Sequence, residues 1–347
     1  MSHKKTIRSN IDVASEAKLM FEGGQADRIY ACPNKYKKEL IETAKAIGRP
    51  GFGILAADES TRTCKSRFDQ INVECTHENR IFYRDMLFTT PDIEKHISGV
   101  IMYDETLKDN GLDGRPFPAT LKERGIYSGI KVDIGHIPLA GTDGERVTQG
   151  LDGLGVRCAE YYKLGARFAK WRAVVTMGKN GPSDLSIRET AHTLARYGAI
   201  CQEHGLVPII EPEILPDGDH DIYAMCDASE RVLTAVMKEM FNQNLLIEGT
   251  MLKPSMVTPG MGCSDRSSHE EIAWLTVRTL QRTIVPSLPT ICFLSGGQSE
   301  EAASMNLSYM NKLDTAKPWS LTFSFGRALQ KTVLEVWDGK LENKKAA

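Results

Sequence analysis

The sequence predicts an α/β fold, a closed (β/α)8 barrel of the TIM type, as a single domain over residues 1–347. Three observations lead there. Short apolar runs alternate with helical patterns, which is the signature of a parallel sheet. There are eight such runs, enough to close a sheet on itself. None is followed by Gly-x-Gly-x-x-Gly or a Walker A loop, which removes the usual reason to prefer an open doubly wound sheet.

Residues 1–33 mix charge, Gly and small residues without a period, and are expected to form an N-terminal arm, partly helical. Lys35 to Ile47 places Leu40, Ile41, Ala44 and Ile47 on one helical face, and Gly48 and Pro50 stop it. The expected strands are Gly53–Ala57, Gly99–Met102, Gly129–Asp133, Arg167–Val175, Val207–Glu213, Gly249–Lys253, Thr290–Leu294 and Leu321–Phe325. Helices are expected at 186–203, 227–241, 268–284, 300–311 and 328–337. The stretch from Asp109 to Pro118 reads as loop. Residues 338–347 are expected to begin a C-terminal tail.

Composition excludes several function classes. Lys+Arg 43 against Asp+Glu 45 leaves a net charge of −2, which argues against a general nucleic-acid binder. The eight cysteines are scattered with no Cys-x-x-Cys pair, the pattern of reduced thiols in a cytosolic protein. No apolar run is long enough to span a membrane, and the basic start Met1-Ser-His-Lys-Lys lacks an apolar segment behind it, so neither membrane insertion nor a secretory signal is expected. The histidines neither pair at i, i+4 nor sit at strand ends, so no metal or cofactor is expected.

The polar residues of the strands collect at their C-terminal ends: Asp58, Lys131, Asp133, Lys170, Arg172, Glu211, Glu213, Lys253, Ser295 and Arg327. Side chains alternate with period two, so Lys170 and Arg172 share a face, as do Glu211 and Glu213. The C-terminal end is where barrels do chemistry. A lysine at the end of a buried strand needs a carboxylate partner, water or a lowered pKa, and a deprotonated lysine forms Schiff bases with carbonyls. Lys253, followed at once by Pro254, is the plainest case, but spacing leaves the nucleophile open among Lys131, Lys170 and Lys253. Glu211 and Glu213 are placed to move protons during such chemistry.

Two groups point to anions. Ser295-Gly296-Gly297 ends the seventh strand and Gly326-Arg327 the eighth, and both precede helices. Backbone amides at such turns, with an arginine, form the recurrent phosphate site of this fold. A second hydroxylated and basic group, Ser60, Thr61, Arg62, Thr63 and Arg67, follows the first strand. Together they suit a substrate with two anionic ends.

With these residues in place the chain resembles the class I (Schiff-base) fructose-1,6-bisphosphate aldolases over roughly residues 25 to 340. Gly-Ile-Leu-Ala-Ala-Asp-Glu-Ser at 53–60, Gly-Ile-Lys-Val-Asp at 129–133, Ala-Lys-Trp-Arg at 169–172 and Glu-Pro-Glu-Ile-Leu at 211–215 carry the resemblance. So do Glu-Gly-Thr-Met-Leu-Lys-Pro at 248–254, Phe-Leu-Ser-Gly-Gly-Gln at 293–298 and Thr-Phe-Ser-Phe-Gly-Arg-Ala at 322–328. The resemblance implies reversible cleavage of fructose 1,6-bisphosphate to dihydroxyacetone phosphate and glyceraldehyde 3-phosphate, in glycolysis and gluconeogenesis, without a metal.

It assigns the Schiff base to Lys253, proton shuttling to Glu211, placement of the lysines to Glu213, and action on the C3 and C4 oxygens to Asp58. Lys170 becomes the lysine beside the nucleophile, with Arg172 near the substrate hydroxyls and distal phosphate. Ser295, Gly296, Gly326 and Arg327 take the C1 phosphate, and Ser60, Arg67 and Lys131 the C6 phosphate. Thr63 keeps a hydroxyl where many members have serine, Ser66 stands where lysine is common, and Ile134 replaces another common lysine. The family's terminal tyrosine is not matched at Lys345-Ala346-Ala347, which implies either a removed tail or slow turnover. The resemblance also implies a cytosolic homotetramer, and some members bind actin or acidic peptide tails. The competing readings are another lysine-dependent sugar-phosphate aldolase, disfavoured by the two anion groups, and an adaptor role.

Overall fold

The computed structural model describes residues 34–179 and 181–347, so the arm expected over residues 1–33 lies outside the described residues. Eight parallel strands close a barrel in sequential order. They are β1 (Gly53–Ala57), β2 (Ile97–Met102), β3 (Tyr127–Lys131), β4 (Ala166–Val175), β5 (Val207–Ile214), β6 (Met251–Leu252), β7 (Thr290–Phe293) and β8 (Ser320–Phe325). The helices are α1 (Lys37–Ile47), α2 (Thr61–Phe68), α3 (His77–Phe88), α4 (Asp104–Lys108), α5 (Phe117–Glu123), α6 (Leu154–Lys163), α7 (Asp184–Glu203), α8 (Ile222–Asn242), α9 (His269–Thr283), α10 (Glu300–Lys312) and α11 (Arg327–Trp337).

The alternation of side chains sorts the strands into two layers. The outer faces, Leu55, Val100, Ala169, Trp171, Ile210 and Leu252, are buried under the helices, where Tyr197 of α7 stacks on Trp171 with centroids 5.4 Å apart. The inner faces are apolar at the N-terminal end and charged at the other. Phe168 fills the inner N-terminal level because β2 and β3 carry glycine opposite it. A Cβ on Gly129 would lie 2.3 Å from the Phe168 ring, and one on Gly99 3.1 Å from it.

Helix α1 closes the N-terminal mouth. Its Leu40, Ala44 and Ile47 are fully buried. Ser98 Oγ, at the start of β2, donates to Ile47 O (2.6 Å) and Gly53 O (3.1 Å), tying the plug to two strands. Water therefore reaches the barrel interior from the C-terminal end.

Several elements differ from the sequence expectation. The sixth strand shrinks from Gly249–Lys253 to Met251–Leu252 because Gln202 of α7 claims the backbone ahead of it. Its side chain donates to Leu246 O and Gly249 O (2.8 and 3.1 Å) and accepts from Leu246 N (2.9 Å), holding Ile247–Gly249 as a 3-10 turn. Lys253 still bonds through its amide to Ile210 O (2.7 Å), so it stands one residue beyond the strand but in register. The loop expected from Asp109 to Pro118 ends at Pro116, since Phe117 and Pro118 already open α5, and α4 precedes it. An unexpected hairpin, His136–Pro138 with Arg146–Thr148, follows β3 and is pinned by Thr148 Oγ1 donating to Arg172 O (2.8 Å). Past α11, Leu341–Lys345 forms a 3-10 turn anchored by Lys344 Nζ at 2.8 Å from Asp85 Oδ2.

If Phe168 packs against bare backbone as described, Gly129→Ala lowers stability by about 1–3 kcal/mol through overpacking. Urea unfolding measures this; an unchanged midpoint would refute the packing.

Candidate active site

Asp58, Lys170, Glu211 and Lys253 rise from the C-terminal ends of β1, β4, β5 and β6 and meet in one chain of ion pairs. Lys170 Nζ lies 2.8 Å from Asp58 Oδ2 and 3.3 Å from Glu211 Oε2. Lys253 Nζ lies 3.0 Å from Glu211 Oε1. Glu211 thus spans both lysines. Its Oε2 pairs with Lys170 by charge without hydrogen-bond alignment. All four residues are buried, Glu211 to 3 % and Lys253 to 4 % exposure.

Charges this deep cost several kcal/mol each to desolvate and persist only when paired. Two ammonium and two carboxylate groups make a neutral set. Burial by itself pushes Asp58 up, but the charges of Lys170, Lys253 and Lys131 outweigh it and hold the carboxyl at about 2. Burial likewise pulls Lys170 down, and Asp58, Glu211 and Asp133 reverse the effect, raising it well above an ordinary lysine. Lys170 therefore stays charged at neutral pH.

Around this chain the remaining groups are also paired. Arg172 Nε contacts Glu213 Oε2 closely. Lys131 Nζ donates to Asp133 Oδ1 and Asp133 O (2.6 and 2.7 Å), and Asp133 Oδ2 accepts from Arg172 N (3.3 Å). Lys131 and Lys170 are level partners across β3 and β4. Ser255 stands in for a ladder bond above Glu213, with its Oγ 3.1 Å from both Ile214 N and Ile214 O.

The turns after β7 and β8 are shaped by glycine. A side chain on Gly296 would meet Leu294 and lie 3.3 Å from Glu213 Oε1, so its absence lets the loop approach the charged cluster. Gly297 takes a left-handed conformation, φ +74°, in the turn that Gln298 N closes on Ser295 O (2.9 Å). Helix α10 is already capped, since Ser299 Oγ accepts from Ala302 N (3.0 Å). Helix α11 is not capped by a side chain: Gly326 is its N-cap, and a Cβ there would press to 3.2 Å from Ala56 O. Arg327 opens α11 and is exposed. Uncapped amides and a free-standing guanidinium leave α11 the more open of the two helix ends for an anion.

Past β1, Ser60 caps α2, accepting from Thr63 N (3.3 Å), and its Oγ lies 3.1 Å from Thr63 Oγ1. Arg67 is bound to Glu59 and donates to Gln330 Oε1 at 3.3 Å. Sequence reading missed Glu59, Arg84 and Gln330, because Glu59 is out of phase with the inward face and α3 had not been recognised. The period-two alternation puts Asp133 on one face with Lys131, and the structure joins the two as an ion pair. The described residues also bring His77, Glu105 and Asp109 together, but Arg80 holds both Glu105 oxygens at 2.7 Å and the cluster contributes nothing to the barrel mouth.

The glycolytic family described as Fructose-bisphosphate aldolase class-I matches residues 39–347. The cytosolic fructose-bisphosphate aldolase 5 of Arabidopsis thaliana is 58% identical over 89% of this chain and 86% of its own length. The cytoplasmic isozyme of Spinacia oleracea is 57% identical over the same shares. The fructose-bisphosphate aldolase of Plasmodium falciparum, solved in complex with TRAP and a small-molecule inhibitor, superposes with TM-score 0.89 at 52% identity, covering 90% of this chain and 91% of its own.

The depressed carboxyl of Asp58 sets a pH signature. Its stabilisation is complete above the ordinary value of 3.8 and is lost as pH falls through about 2. The stability gap between the protein and Asp58→Asn, on the order of 2 kcal/mol, should hold above pH ~4 and close toward pH ~2. Denaturant melts across that range measure it, and a gap independent of pH would overturn the assignment.

Proposed function

The chain belongs to the class I fructose-bisphosphate aldolases, and from that premise we propose how its own residues divide the work. The reaction is the reversible cleavage of fructose 1,6-bisphosphate to dihydroxyacetone phosphate and glyceraldehyde 3-phosphate, a step of glycolysis. The observation that carries the residue roles is Glu211 held between Lys253 and Lys170.

Lys253 passes a proton to Glu211, 3.0 Å away, and its neutral amine attacks the C2 carbonyl. The nitrogen of the adduct passes a second proton to the alkoxide, giving the neutral carbinolamine; Glu211 then returns the first proton to its hydroxyl, which leaves as water and gives the iminium. The iminium withdraws electrons, so the C3–C4 bond breaks toward it and leaves an enamine. Asp58 takes the proton of the C4 hydroxyl. It is a weak base while Lys170 holds it, so the Lys170 contact must loosen as substrate enters. Lys170 keeps its charge throughout. Glu213 holds Arg172 at the edge of the site. Ser295, Gly296, Gly297, Gly326 and Arg327 bind the C1 phosphate, and Ser60, Thr63, Arg67 and Lys131 the C6 phosphate. A lone-phosphate aldolase would have no use for the second set.

We also propose a single barrel domain with residues 1–33 as an arm, cytosolic residence, as the plant relatives are named, and a homotetramer. Support for self-association comes from exposed apolar side chains, Tyr223 at 65 %, Trp274 at 55 % and Met261 at 51 %. A partner role with actin or acidic peptide tails draws support from the Plasmodium falciparum enzyme solved with TRAP. Sedimentation equilibrium should give four chains per particle, and fructose 1,6-bisphosphate should displace an acidic peptide; a monomer, or independent binding, removes the respective proposal.

Borohydride reduction with dihydroxyacetone phosphate and EDTA, followed by peptide mapping, should place the adduct on Lys253. Lys253→Met should abolish turnover, and Glu211→Gln should lower kcat by about 10²–10³-fold. An adduct on Lys170 or Lys131 would move the nucleophile and sink this division of roles.

A further inference from the structure

Glu59 sits between two arginines of different freedom. Its Oε1 contacts Arg67, whose side chain is 21% exposed, and its Oε2 lies 2.8 Å from Arg84 Nη1, whose side chain is 2% exposed. Arg84 is fixed from other directions: its Nη2 donates to Glu59 O (3.3 Å) and to Cys64 Sγ (3.3 Å). Arg67 has one further partner, Gln330 Oε1 at 3.3 Å, and that oxygen already accepts from Tyr83 Oη at 2.8 Å. Gln330 is itself anchored, donating to Ala56 O at 2.7 Å. Arg67 is thus the partly exposed member of a triad whose other two side chains are buried.

A buried carboxylate with a single cation cannot release it without being left unpaired, which costs several kcal/mol. With Arg84 fixed beside it, Glu59 keeps a counter-charge when Arg67 leaves. We propose that Arg84 is a positioning residue that makes Arg67 releasable, so that an incoming phosphate takes Arg67 over from Glu59. The triad then sets the preference for substrates with a second phosphate over those with one. This rests on the reading of Arg67 as part of the C6 phosphate site. Charge balance sets the direction of the effect. Two arginines on one carboxylate leave a net +1 beside the site, and removing Arg84 leaves Arg67 and Glu59 as a closed neutral pair. Glu59 follows Asp58 directly but points to α2 and α3, so the exchange moves Arg67 without using a catalytic group.

The test compares KM and kcat for fructose 1,6-bisphosphate and fructose 1-phosphate in four variants whose folding is checked by circular dichroism and thermal melts. Arg84→Met should raise KM for the bisphosphate about tenfold while KM and kcat for the monophosphate hold. Arg84→Lys should restore much of the loss. Arg84→Met combined with Glu59→Gln removes both buried charges, frees Arg67 and should return the bisphosphate KM to the parent value or below. Arg67→Met separates the two layers of the argument. If it leaves the ratio of the two substrates unchanged, the phosphate-site reading of Arg67 fails. If it shifts the ratio but Arg84→Met does not, or if the double variant is as weak as Arg84→Met, partner exchange is wrong.

Discussion

The structure depends on one buried carboxylate shared by two lysines. Glu211 touches Lys253 with one oxygen and faces Lys170 with the other. Either lysine alone would be a costly buried cation, and Glu211 alone a costly buried anion. Together with Asp58 they form a set of formally balanced charges that brings no net charge into the apolar interior.

The fold makes that layer tolerable by stacking it on apolar ones. Helix α1 seals one end of the barrel, Phe168 fills the level above it against Gly99 and Gly129, and only then do charges begin. The alternation along a strand delivers both at once. Phe168, Lys170 and Arg172 sit on the inner face of β4, while Ala169 and Trp171 face the helices. Inner residues change from apolar to charged within one strand repeat, and the outer core is not interrupted.

The strands and the charged cluster at their C-terminal ends were legible in the sequence because both follow from local pattern. Apolar runs of four to eight residues ending in charge read directly as barrel strands, and period two put Lys170 with Arg172 and Glu211 with Glu213. What escaped was decided at long range. The shortening of β6 is imposed by Gln202, which is far away in sequence. Helices α2, α4 and α5 run only 8, 5 and 7 residues, too short to show a clear period. The second anion group was legible as residue types, but the carboxylates attached to it were not. Glu59 faces away from Asp58, and Arg84 reads as an ordinary helix charge until it is seen buried.

Those carboxylates change how binding at the mouth should be understood. Lys131 is paired with Asp133, Arg172 with Glu213, and Arg67 with Glu59. Under the proposed phosphate assignment, an arriving phosphate replaces an existing partner and does not meet an isolated cation. Affinity is then the difference between two ion pairs, smaller than either. Each released carboxylate must also keep some counter-charge or the exchange fails. Asp133 retains the amide of Arg172, and Glu59 retains Arg84. Arg327 differs, being exposed on a helix end that no side chain caps. On the proposed assignment, the two ends of a bisphosphate meet different physics: direct capture by backbone amides and a solvated guanidinium at one end, partner exchange inside a partly buried network at the other. On that proposal the site discriminates at the exchange end, because there binding depends on how readily the protein releases its own cations.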